Sequence, residues 1–78
     1  MLEDVYKAIY EWISKTLNVN EENLNPSTNV IADLGAKSFD VAHLAVYLEG
    51  EFDMDVPYMA FSKNKTIEQM AQFVVDRM

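Results

Sequence analysis

The stretch DLGAKSFD, Asp33 to Asp40, decides how the chain folds. Gly35 marks a turn, Ser38 follows it, and an apolar-rich run begins at Phe39. Serine directly before such a run marks a helix start, where its hydroxyl suits an N-cap. The second helix is therefore expected from about Ser38 to Glu51, with Gly50 and the turn-forming DMDVP signalling its end.

This helix carries two apolar stripes. At about 100° per residue, Val41, Leu44, Ala45, Leu48 and Phe52 share one side, the pattern of a core face. Phe39, Ala42 and Val46 gather roughly 130° away, among Asp40, His43, Tyr47 and Glu49. One packed side needs one stripe, so the second points to a docking surface. The alternative is that a small bundle wraps the helix and buries both.

Outward from this helix the chain reads as helical. Leu2, Val5, Tyr6, Ile9, Trp12, Ile13, Thr16 and Leu17 follow helical spacing, which predicts an amphipathic helix ending near Asn18 to Asn20. A long loop rich in Asn follows. Val19, Leu24, Val30, Ile31 and Leu34 are its apolar anchors, and one helical turn fits around Glu21 to Leu24. A short turn of helix is expected from Pro57 to Phe61, with proline at its first position. TIEQ, Thr66 to Gln69, is a capping box opening a last helix whose buried stripe is Ile67, Met70, Ala71, Val74 and Met78.

Composition narrows the function. Seventy-eight residues suit one small domain, 1–78, without room for a large buried cleft. Thirteen acidic against six basic residues give a net charge of −7, which repels phosphate backbones and argues against nucleic acid. No apolar run reaches the length of a membrane span. The charged N-terminus is unlike a signal peptide, and the absence of cysteine suits a reducing compartment, so a cytoplasmic monomer is expected.

Catalytic and metal constellations fail on spacing. His43, the one histidine, stands five residues after Ser38, about 140° around and about 7.5 Å along the helix. That is poor geometry for a Ser–His pair, so no catalytic residue is assigned. DMDVP lacks the glycine and closing glutamate of a calcium loop, and one histidine without cysteine makes no usual zinc site.

DLGAKSFDVAHLAVYLEGEFDMDVP resembles the carrier motif of acyl carrier proteins, D-L-G-x-D-S-L-D followed by a helix ending L-E-x-E-F and then I/V-P. Length, acidity and helix order extend the likeness over essentially the whole chain. The resemblance implies an all-α, four-helix bundle with a long first loop and a short third helix. It implies a non-catalytic carrier whose serine, here Ser38, bears 4′-phosphopantetheine placed by a phosphopantetheinyl transferase from coenzyme A. Acyl groups then ride as thioesters between acyl-transfer and condensing enzymes that present basic and apolar docking patches. The docking residues implied are Phe39, Asp40, Ala42, Val46 and Glu49. The acyl-sheltering core implied is Val30, Ile31, Leu34, Leu44, Leu48, Phe52, Val56 and Ile67.

Departures from the motif point to a specialised carrier over the central fatty-acid one. Lys37 replaces the usual aspartate, Phe39 a leucine, and His43 and Gly50 replace glutamates. VPYMAFSKNKT contains two lysines and no acid where the family is usually strongly acidic. Lys37 to Phe52 holds three acids against one lysine, a net of −2, so most of the chain's negative charge lies elsewhere. A peptidyl or aminoacyl carrier, and an unmodified helical interaction module, are the alternative readings.

Overall fold

Apolar spacing and capping place four helices, and the computed structural model, which describes residues 1–78, contains all four and no β-strand. α1 spans Leu2–Leu17, with Glu3 and Asp4 in its first turn and Lys15 in its last, as the helix dipole favours. Asn18 closes it in the left-handed region, φ 57°, donating its N–H to the Ser14 carbonyl. The buried stripe is shorter than the periodicity predicts. Val5, Ala8, Ile9 and Ile13 are buried, whereas Leu2 and Thr16 near the two ends are exposed.

α2 spans Ser38–Phe52, α3 is one turn at Tyr58–Phe61, and α4 spans Ile67–Asp76. α1 packs on α4 and α2, and α3 packs on α2. Three sequence expectations shift. Gly50 does not end α2; it lies on the exposed side of the helix, and Asp53 stops it in the left-handed region, φ 51°. Pro57 precedes α3 as its N-cap and is not its first residue. Met78 lies beyond the end of α4 and is exposed. The capping box is present as read: Thr66 Oγ1 accepts from the Gln69 N–H, and Gln69 Oε1 accepts from the Thr66 N–H.

The core gathers Ile9, Ile13, Leu44, Leu48, Phe61, Ile67 and Met70, all fully buried. Each such side chain contributes about 1.5–3 kcal/mol on leaving water. Phe61 seats α3, its ring meeting Phe73 of α4 edge-on at 5.7 Å. No buried side-chain polar atom lacks a partner. Burial, then the charge of Glu51 and Glu11, raises the Tyr47 hydroxyl above its ordinary value. No helix is long and apolar enough to cross a membrane.

The connection from Val19 to Lys37 is fixed by backbone pairing. A 3-10 turn at Glu21–Asn23 is capped by Asn20, whose side chain accepts from the Glu22 N–H. Farther on, the Val30 N–H donates to the Lys65 carbonyl at 3.0 Å and the Ile67 N–H to Thr28 at 3.0 Å. These bonds flank an antiparallel bridge between Asn29 and Thr66. The loop is thereby strapped to the start of α4. Thr28, the one buried polar residue, accepts from the Asn25 N–H through its hydroxyl.

Candidate functional site

The approach to α2 is built by the first residues of the opening motif. The Asp33 carboxylate accepts from the Asn29 N–H at 2.8 Å, and Asn29 Oδ1 accepts from Ile31 and Ala32. Gly35 then takes φ +71°, a conformation that side chains rarely adopt. The Ala36 N–H returns to the Val30 carbonyl. Asp33 and Gly35 are thus required by the turn that delivers the chain to Ser38.

Ser38 is the first residue of α2 and is exposed. It is not the N-cap. That position is Lys37, in extended backbone, and its N–H donates to Asp40 Oδ2 at 2.9 Å. Asp40 therefore turns back to close its own helix, and the Ser38 hydroxyl is left without a capping role. The helix begins here with N–H groups that have no intrahelical acceptor, an environment favouring an anion. His43 is exposed and its ring meets Phe39 edge-on at 6.3 Å.

The second apolar stripe is not wrapped by the bundle. Phe39 is 60 % exposed and Val46 64 % exposed, with Ala42 half-buried between them. On neighbouring α3, Met59 is 76 % exposed. Glu49 is placed differently from an acid held out for a partner. It is half-buried, and its Oε2 accepts from the Val56 N–H at 2.9 Å, pinning the link between α2 and α3.

Of the residues expected to line an acyl-sheltering core, Val30, Leu44, Leu48, Val56 and Ile67 are buried together, with Leu34 and Phe52 packed half-buried against them. Ile31 lies outside this group, 39 % exposed, because the bonds of Asn29 turn the chain there and bury its neighbour Val30. Ile31 instead walls an open groove of about 500 Å³ beside Ser38. Ala36, Lys37, Ser38 and Val41, from the approach to α2 and its first turn, line it together with Tyr58, Ser62, Asn64 and Lys65 from α3 and the segment after it. Sequence reasoning did not find this groove; the acid-free run near Lys63 and Lys65 is its one sequence signal.

A family model described as "Phosphopantetheine attachment site" matches residues 7–74, a span that includes Ser38 and all of α2. The chain is 30% identical over 73 residues to an acyl carrier protein of Chlorobium phaeobacteroides, covering 94% of each. It is 29% identical over 77 residues to an acyl carrier protein of Picosynechococcus sp., covering 99% of this chain and 95% of that one. The chain belongs to the acyl carrier protein family, non-catalytic carriers of covalently attached 4′-phosphopantetheine.

Proposed function

We propose that Ser38 is the attachment residue and that the chain shuttles acyl intermediates between enzymes of a dedicated pathway related to fatty-acid biosynthesis. The observation that carries this is an exposed serine hydroxyl, free of any capping role, at the first position of α2. The surroundings fit the group. The first turn of α2 favours a phosphate by about 0.3–1 kcal/mol, and Lys37 adds a cation beside it. When attached, 4′-phosphopantetheine supplies the thiol that holds the acyl group as a thioester. Ser38 needs no base of its own, because the transferase supplies the catalysis.

Phe39, Ala42 and Val46 form the apolar part of the docking face, which suits the apolar patch of a partner enzyme. Its acidic part is thin. Asp40 is engaged with the Lys37 N–H and Glu49 with the Val56 N–H, so neither presents a full carboxylate outward. Weak charge complementarity slows encounter more than it lowers final affinity. A partner that recognises Phe39 and Val46 by shape is favoured over one steered mainly by acid, which supports a specialised carrier. The buried group of Val30, Leu44, Leu48, Val56 and Ile67 is the acyl-sheltering region, and it must loosen to admit a chain.

Incubation with coenzyme A and a promiscuous phosphopantetheinyl transferase tests the carrier reading. Intact mass is expected to rise by a single phosphopantetheine; an unchanged mass leaves an unmodified interaction module as the better account. The pathway reading is tested separately. A ketosynthase of central fatty-acid synthesis is expected to use the loaded protein several-fold more slowly than it uses its own carrier. Equal use by that enzyme overturns the specialised assignment.

A further inference from the structure

The chain has thirteen acids, yet its surface includes one groove without a carboxylate, and that groove borders Ser38. The other three surface grooves each include at least one acid: Asp4, Glu11 and Glu51 in one, Glu21 in the second, Asp33 in the third. The groove beside Ser38 is instead lined by two lysines, Lys37 and Lys65. Neither is paired with an acid, because the sole ion pair in the chain joins the Met1 amino group to Asp4. A cationic, acid-free groove on a protein of net charge −7 is a local reversal of the global field.

Lys65 is held in place. Its Nζ donates to the Ser62 carbonyl at 3.1 Å. Its backbone carbonyl accepts from the Val30 N–H, and its own N–H donates to Gln69 Oε1. Asn64 fastens the same lip by donating to the Ala60 and Phe61 carbonyls at the end of α3. One bond from Nζ to Ser62 leaves two of its three N–H donors for a ligand. The lining also includes Ile31, which the bond from Val30 to Lys65 sets next to this lip, and Val41; both are apolar and able to cover a short carbon chain.

We propose that this groove is a cargo-binding site for short acyl groups that end in a carboxylate, the carboxylate meeting Lys65 and the carbon chain lying against Ile31 and Val41. The proposal rests on Ser38 bearing the arm. Charge complementarity selects the occupant: a methyl-ended chain gains nothing from the ammonium groups, whereas a carboxylate gains a charge-assisted hydrogen bond. Sheltering such cargo outside the packed core also avoids the cost of burying a charge among Leu44, Leu48 and Ile67.

The test uses the full chain loaded through the transferase with either of two coenzyme A analogues. Both carry an amide in place of the thioester; one bears a succinyl group and the other its neutral primary amide. The ratio of docked to free cargo is read from the backbone amide shifts of Ile31, Tyr58 and Asn64. The succinyl form is expected to dock roughly two- to fivefold more, the range of an exposed charge pair. This advantage is expected to vanish in Lys65→Gln, persist in Lys65→Arg, persist in Lys7→Gln on α1, and shrink in 0.5 M salt by screening. Equal docking of the two cargoes overturns the proposal, as does an advantage that survives Lys65→Gln. Failure of the carrier reading is distinguishable, since it appears earlier as an unchanged intact mass with both analogues and removes both conclusions.

Discussion

In Ser38→Ala, the phosphopantetheine mass increment is expected to disappear completely while the fold is retained. The loss is total because the hydroxyl is the bond-forming atom and alanine offers no substitute. The fold survives because Ser38 is exposed and its hydroxyl caps nothing. Alanine is also the better helix former, so stability should move by no more than about 0.5 kcal/mol. Three other serines are internal controls. Ser14 is half-buried within α1, and Ser62 donates its hydroxyl to the Met59 carbonyl. Ser27 is exposed, but it sits in a turn organised by Asn25 and not at the start of a helix. Ser27→Ala is therefore expected to accept one group as the parent does. An increment that persists in Ser38→Ala and vanishes in Ser27→Ala would move the site to the loop. Far-ultraviolet circular dichroism before and after incubation separates loss of the attachment atom from loss of the fold.

What could be read from the sequence was local, and what could not was assembled from distant segments. The Thr66–Gln69 box was legible because both partners lie within one helical turn. The second stripe of α2 was legible because Phe39, Ala42 and Val46 follow the helical period while the core face is already complete with Val41, Leu44, Ala45 and Leu48. Its exposure follows from the size of the chain, which leaves too few residues to cover it. The stop of α2 was misplaced because glycine is the usual terminator, whereas Asp53 tolerates the left-handed conformation and Gly50 fits within the helix. Glu49 reads as a free acid by helical position; its bond to Val56 depends on how the α2–α3 link folds back. Ile31 and Val30 are adjacent and equally apolar, and only the strap from Val30 to Lys65 decides which of them is buried. The groove beside Ser38 has the same origin. Its walls come from the end of the long connection, from the first turn of α2, from α3 and from the residues before α4, and no single-segment pattern contains all four.

Phe61→Ala is expected to cost about 3–5 kcal/mol of folding stability, the range for truncating a fully buried phenylalanine. A chain of 78 residues has roughly 4–12 kcal/mol in total, so one side chain accounts for about a quarter of it or more. The loss is concentrated in one element. α3 is a single turn, and four residues cannot sustain a helix without tertiary contacts. Phe61 is its one buried residue, meeting Phe73 edge-on. Without that ring the turn has no anchor, and Tyr58 and Ser62 lose their place along the groove. The carbonyls of Ala60 and Phe61 that hold Asn64, and the Ser62 carbonyl that holds Lys65, shift with them. Met59→Ala is the matched control: Met59 belongs to the same turn but is 76 % exposed, so its change should stay within about 0.5 kcal/mol. Urea unfolding followed by circular dichroism measures both variants, and a cost below about 1.5 kcal/mol for Phe61→Ala would show that α3 is not held by this ring. If the variant remains folded at low temperature, Ser38 should still accept phosphopantetheine, because α2 and its turn at Gly35 do not depend on α3 for their hydrogen bonds. The preference for carboxylate-ended cargo should be lost, because that lip of the groove is built on the end of α3.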